Sequence, residues 1–321
     1  MVTVCVSHKE DVDGVVSATL IKTLFNAYPF LADYTDFIPT LKHVAKMHDV
    51  DQLFICDLGL SKANEKEFIA ILSELRKSDT EITYIDHHDL ADELKDVLRS
   101  NGINLIHTVD ECTSVQIYDK FKDKLPKKFA LLAACAAVGD DMRRRPIAVR
   151  LFNMYDKQFA FFEASTLSYA IYDNQHNMDF LLMLVDTLDK AFPHEIAGVL
   201  DSARNYAQKV SSNIVIIEKD AKRMKNIVHV QTHDLSTSIV ANMLLASYPD
   251  AQASLAYKEK DGNYVISLRG SDSSKHHLGR IVNKLSLELG GSGGGHEKAC
   301  GALIPKHNLH EFMAKLDSML M

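Results

Sequence analysis

The sequence predicts an α/β fold in two parts: an N-terminal parallel-sheet domain, a helical bridge, and a smaller C-terminal α/β domain. Three observations carry this. Over the first 140 residues, buried-strand patterns alternate with helix patterns. From about 147 to 210 the pattern is helical and strand-poor, and from 213 strand patterns return. A length of 321 residues is about twice a typical domain. With 46% hydrophobic and 25% charged residues, the composition is that of a globular chain and excludes disorder as the main state.

Taken in order, VTVCVSH (2–8) reads as a short apolar strand, followed by a helix from Gly14 to about Tyr28. QLFICDLG (52–59) is a second buried strand with a helix over 62–77, EITYIDHH (81–88) a third with a helix over 89–100, and INLIHT (103–108) a fourth. Alternation of this kind implies a parallel sheet covered on both faces, with ligands collecting beyond the carboxyl ends of its strands. The apolar run around 128–138 reads as a buried helix. Two further helical patterns flank Pro193. NIVIIEKD, NIVHVQTH, AQASLAYKEK and NYVISLRG read as strands, the last two joined at the Asp-Gly of KDGNY, a good hairpin signal. A helix over about 275–289 leads into GGSGGGHEKACGALI. The expected divisions are 1–145, 146–211 and 212–321.

The net charge of −7 is unevenly spread: residues 1–200 hold 21 basic and 31 acidic residues, residues 201–321 hold 15 and 12. An acidic N-terminal part grips long nucleic acid poorly but suits metal cations. The five cysteines are scattered with no CxxC spacing and read as reduced packing residues of a cytoplasmic protein. The longest apolar run, Phe129 to Val138, is too short to span a bilayer. The N-terminus reads as a strand followed by acids rather than a signal peptide.

Chemistry concentrates at the strand ends. His8, Asp11 and Asp13 follow the first strand, Asp57 the next, and Asp86, His87 and His88 the third. Asp140 and Asp141 follow the apolar helix. Each has a plainer alternative: Asp13 as a helix N-cap, Asp57 as a salt-bridged acid, the two histidines of 87–88 in solvent, Asp140 as a helix-end residue. Together they point elsewhere, because five acids meeting at one crevice would repel strongly unless divalent cations relieved it. Oxygen and imidazole donors without thiolate suit Mn²⁺, with Mg²⁺ as the alternative. A pair of ions about 3.5–4 Å apart is a general solution for phosphoester hydrolysis. In the C-terminal part, the glycines of GGSGGGHEKACG let the backbone approach an anion, with a flexible hinge as the alternative. Arg269 can hold a phosphate or stack on a base.

The ordered set His8-x-x-Asp11-x-Asp13-Gly14, Asp57, Asp86-His87-His88, Gly139-Asp140, SLRGS and GGSGGGH resembles the DHH phosphoesterase superfamily. It resembles in particular the branch with RecJ exonuclease and the NrnA-type nano-RNases and pAp phosphatases. The resemblance spans nearly the whole chain. It implies a catalytic domain facing a smaller substrate domain, and two Mn²⁺ ions. His8, Asp11 and Asp57 would hold the first ion; Asp13, Asp57, His87 and either Asp140 or Asp141 the second, with Asp57 bridging. Asp86 would orient a ligand histidine, and His88 would contact the scissile phosphate or assist proton transfer. Arg269, Ser271, Gly294, Gly295 and His296 would grip the substrate. The expected activity is Mn²⁺-dependent hydrolysis of short single-stranded RNA or DNA, or of linear dinucleotides, to mononucleotides. The alternatives are a pAp phosphatase and a RecJ-like exonuclease. No membrane association is expected, and the resemblance is compatible with a homodimer.

Overall fold

A computed structural model describes residues 2–47, 49–232 and 235–321. The chain divides into two compact units, the first ending at Tyr206 and the second comprising Ala207–Met321. Among the described residues, no helix is long and apolar enough to cross a membrane.

Unit 1 runs β1 (Val2–His8), α1 (Val12–Phe25), β2 (Tyr28–Ala32), α2 (Phe37–Ala45), β3 (Val50–Cys56), α3 (Glu65–Lys77), β4 (Glu81–Asp86), α4 (Asp92–Ser100), β5 (Asn104–His107) and α5 (Thr113–Phe121). Then come α6 (Phe129–Gly139), α7 (Pro146–Phe152), α8 (Lys157–Asp173) and α9 (Met178–Thr187). The five strands are all parallel, in the order β2-β1-β3-β4-β5. Strand residues alternate between two cores, as a side-chain period of two requires. Cys5, Phe54, Cys56 and Ile85 face α1, α5 and α6, whereas Val4, Val6, Leu53, Ile55, Ile82 and Tyr84 face α2, α3 and α4. Burial on both faces explains why the strands read as near-continuous apolar runs. The chain passes from β1 to one side for β2, then to the other side for β3. The β1–β3 boundary is therefore the switch point at which such sheets bind ligands.

Residues 129–137 of α6 are buried on every side. Around it pack α1, α5, α7 and α8, and Leu151, Leu167, Leu181 and Leu184 of the helical stretch join the same core. The next helix, α10 (Val199–Asp220), spans the unit boundary. It includes NIVIIEKD, which the sequence reading takes as a strand. Ile217 is buried while Ile214 and Val215 are exposed, so the apolar run is a partly exposed stretch of a long helix rather than a sheet strand.

Unit 2 continues with β6 (Lys222–Arg223), β7 (Ile227–Gln231), α11 (Thr237–Ser247), β8 (Ala253–Lys260), β9 (Asn263–Gly270), α12 (Leu278–Glu288), β10 (Ser292–Gly295), β11 (Ala299–Pro305) and α13 (Leu309–Met319). Its six strands lie in the order β10-β11-β9-β8-β7-β6, antiparallel except for the β7–β8 pair joined by α11. One face is covered by α12 and α13, the other by α10 and α11. Asp261 and Gly262 both take left-handed φ (51° and 76°), the turn chemistry that the Asp-Gly pair between β8 and β9 predicts.

Candidate metal and phosphate site

The first unit brings its acids and imidazoles together at the carboxyl end of its sheet. Asp11 ends the turn after β1 and caps α1, its Oδ1 accepting the Gly14 N–H at 2.9 Å. Asp13 is therefore not that cap. It sits in the first turn of α1, fully buried, and reaches across to α5. There it accepts the N–H groups of Thr113 (2.7 Å) and Ser114 (2.8 Å) and the Ser114 hydroxyl.

Asp57 follows β3 in a left-handed conformation (φ 57°), which costs a non-glycine residue roughly 1–3 kcal/mol. Its N–H still donates to Ile85 O at 3.0 Å. The carboxylate lies beside His87, with Oδ1 3.2 Å from Nε2. Asp13 and Asp140 approach the same nitrogen at 3.9 and 3.6 Å. One donor atom from each of Asp13, Asp57 and His87 falls within a 4.8 Å cluster. Asp140 is the C-terminal cap of α6, while Asp141 turns away to pair with Arg143. Of the two neighbouring acids, Asp140 is thus the one in the crevice. His8, 5% exposed, places Nε2 3.5 Å from Asp11 Oδ2.

Electrostatics follow from this crowding. Burial, then the nearby Asp13, drives the Asp57 carboxyl well above the ordinary range. Burial, reinforced by the neighbouring His88, pushes His87 down and keeps it neutral, the form that ligates a metal. The residues fit a cation on one further count. Asp57 Oδ2 and His8 Nδ1 are buried without a hydrogen-bond partner among the described residues, and such atoms are costly unless something satisfies them.

His88 stands at the rim. Its Nδ1–H donates to Asp86 Oδ1 at 2.8 Å. Burial alone would lower its pKa, but Asp86 outweighs burial and raises it. The same pairing holds Asp86, against its own burial, at about 2. Tyr84 donates to Asp86 from the other side (3.2 Å), and His107 donates to the His88 carbonyl (2.6 Å). Tyr34, half exposed, places its hydroxyl 3.1 Å from His88 Nε2 and its ring 5.0 Å from that of His8. Gly59 leaves the space for His88: a Cβ there would lie 2.7 Å from the imidazole Cγ. Tyr34, Gly59, Thr113 and Ser114 escape the sequence reading. The Thr-Ser pair at a helix start is the one signal that could have found any of them.

In unit 2, Arg269, Ser271, Gly294, Gly295 and His296 gather at one end of the sheet, where Ala299 pairs with Arg269 and Cys300 with Gly295. The glycine segment is a strand, not a hinge. A Cβ on Gly295, whose φ is 133°, would collide with Ala299 O and Cys300 at 2.8 Å. The α12 start packs onto the same turn, with Gly279 N–H donating to His296 O at 3.1 Å. The Arg269 guanidinium donates to the Ser238 hydroxyl and to Leu268 O.

Comparison with known proteins accords with this geometry. The model described as DHH family, N-terminal domain matches residues 1–139, and the DHHA1 domain model matches residues 224–321. Uncharacterized protein MJ0988 of Methanocaldococcus jannaschii is 25% identical over 228 residues, 70% of this chain and 60% of its own length. The chain thus spans less than two thirds of that relative. The pGpG-specific phosphodiesterase PggH of Vibrio cholerae superposes with a TM-score of 0.59 at 15% identity, covering 99% of this chain and 98% of that one. RecJ of Thermus thermophilus, solved with Mg²⁺, gives a TM-score of 0.57 at 15% identity over 99% of this chain and 49% of that one. At these identities the structural likeness establishes the fold.

Proposed function

We propose a function from one premise: the chain belongs to the DHH superfamily of phosphoester hydrolases, in the branch that carries a C-terminal DHHA1 domain. The proposed activity is hydrolysis of short single-stranded oligonucleotides or linear dinucleotides to mononucleotides, dependent on two divalent cations, Mn²⁺ first among them. The observation that carries it is the buried cluster of Asp13, Asp57 and His87, with Asp140 beside it and Asp57 Oδ2 otherwise unsatisfied. His8, Asp11 and Asp57 would hold one ion, and Asp13, Asp57, His87 and Asp140 the other. When bound, such ions supply Lewis acidity to a phosphate oxygen and to a water nucleophile.

The chain's own residues do the rest. Asp86 fixes the His88 ring through Nδ1, so Nε2, which now faces the Tyr34 hydroxyl at 3.1 Å, is the nitrogen that would meet an anionic oxygen in its place or pass a proton. The raised pKa of His88 favours the imidazolium that an entering phosphate would meet. Arg269, Ser271, Gly294, Gly295 and His296 supply a guanidinium, a hydroxyl, backbone amides and an imidazole, a donor set that suits a terminal phosphate. A negative net charge favours short substrates over long strands bound through many phosphate contacts. PggH acts on pGpG by its name, which supports a dinucleotide-sized substrate here.

A substrate panel with Mn²⁺ tests the reading: pAp, pGpG and other linear dinucleotides, cyclic dinucleotides, and RNA and DNA of graded length. Fast release of mononucleotides from dinucleotides and five-mers is expected. If both stay uncut, the proposal fails. Faster turnover of pAp, or processive decay of a long 5′-labelled strand, would reassign the substrate within the family.

A further inference from the structure

The start of α5 touches three of the four segments that carry the candidate ligands, yet residues 113–116 contain neither an acid nor a histidine. Thr113 and Ser114 give their N–H groups to the two oxygens of Asp13, at 2.7 and 2.8 Å. The Thr113 hydroxyl donates to Asp57 Oδ1 at 3.3 Å. The Ser114 hydroxyl lies against Asp13 Oδ1, the Asp13 carbonyl (3.0 Å) and Ser17 Oγ (3.2 Å). Gln116 spreads its Nε2 protons over the carbonyls of Asp86 (3.1 Å), Thr108 (3.1 Å) and Glu111 (2.9 Å). Its bond to Asp86 O holds the backbone just before His87 and His88. Thr113 and Ser114 are fully buried, and Gln116 is 8% exposed.

We propose that Thr113, Ser114 and Gln116 are positioning residues of the cation site, so that one helix end sets the register of the segments bearing Asp13, Asp57 and His87. This rests on the two-cation reading given above. The chemistry is specific. Each carboxylate oxygen has two lone pairs. The Ser114 N–H and hydroxyl take both on Asp13 Oδ1 and the Thr113 N–H takes one on Oδ2, which leaves one pair on Oδ2, the oxygen 3.9 Å from His87 Nε2. N–H groups at a helix N-terminus favour a carboxylate, so the post is held by backbone as well as side chain. Partners that orient ligands in this way are worth roughly 10–100-fold in metal affinity.

The test is calorimetric titration of the full chain with Mn²⁺ alone, with melting temperature measured with and without Mn²⁺. Ser114→Ala, Thr113→Val and Gln116→Leu are expected to weaken at least one of two binding events roughly 10–100-fold and to shrink the melting shift that Mn²⁺ induces. Ser114→Thr and Thr113→Ser, which restore the hydroxyl, are expected to return affinity to within about threefold. Thr113→Val keeps the side-chain shape, so with Thr113→Ser it decides the matter if Ser114→Ala does not fold. Wild-type affinity in Ser114→Ala and Thr113→Val would overturn the proposal. So would conservative variants as weak as the truncations, because packing rather than hydrogen bonding would then be responsible. If the wild-type chain bound no Mn²⁺, the two-cation reading itself would fall and the proposal with it. Two ions bound equally by wild type and variants would overturn the positioning role alone.

Discussion

Gly59→Ala isolates the placement of His88 without replacing an ionisable group. The new Cβ would lie 2.7 Å from His88 Cγ, 2.9 Å from its Cβ and 3.0 Å from Cδ2. Ordinary contact begins at 3.4 Å, so the ring must retreat by about 0.7 Å. The Asp86–His88 hydrogen bond, 2.8 Å now, would stretch toward the limit of hydrogen bonding. Misplacing a reacting group by about 1 Å can cost about 100-fold in rate, so kcat should fall roughly 10–100-fold. Overpacking costs about 1–3 kcal/mol, offset by about 0.4–1 kcal/mol from the stiffer unfolded chain. The melting temperature should therefore drop by only a few degrees. Steady-state kinetics on a dinucleotide, a Mn²⁺ titration and a thermal melt form the assay, with Mn²⁺ affinity expected within about twofold of wild type. Full kcat in Gly59→Ala would mean that the position of His88 does not matter to turnover.

His88→Ala should lower kcat by about 100-fold or more while Mn²⁺ stoichiometry stays the same; a calorimetric titration beside the kinetics checks both halves. Asp57→Asn should raise the melting temperature of the metal-free chain, because burial and four neighbouring acids already press that carboxyl toward its neutral form. The same variant should lose the stabilisation that Mn²⁺ confers on the wild type. Asp33, at the turn that presents Tyr34, bonds Thr35 and Lys9. Burial pushes its carboxyl up, but those partners outweigh it and hold it below the usual range. Its stabilising effect is thus present above the ordinary value near 3.8 and fades as pH falls further. Against Asp33→Asn, urea melts should show an advantage of about 1 kcal/mol at pH 6 that shrinks to roughly a third by about pH 2.

Three strands of the first sheet, β1, β3 and β4, were legible because both-face burial writes them as apolar runs, and the half-buried edge strand β5 showed through Leu105 and Ile106. Tyr28–Ala32 was not legible: it is short, carries Pro29, and pairs only with β1 at the sheet edge, where proline is tolerated. The two-residue β6 carries no pattern at all. NIVIIEKD misled because a β-branched apolar run has the composition of a strand wherever it lies. The ionisable part of the site could be read because acids at the ends of buried strands are conspicuous. Which acid does what was harder. Asp11 rather than Asp13 caps α1, since only the fold shows that Asp13 spans to a helix about a hundred residues further on. Asp140 separates from Asp141 only through the left-handed turn that sends the latter to Arg143. Gly59 and Tyr34 act through space and shape, which neither spacing nor composition records.

On the proposed reading, the crevice at the carboxyl end of the first sheet holds a pair of divalent cations. Anomalous scattering from crystals grown with Mn²⁺ tests it most directly. Two peaks about 3.5–4 Å apart are predicted, both against Asp57, one also touching His8 and Asp11, the other Asp13, His87 and Asp140. Strong peaks elsewhere in the crystal with none at Asp57, or a lone peak that leaves His87 uncoordinated, would contradict the account.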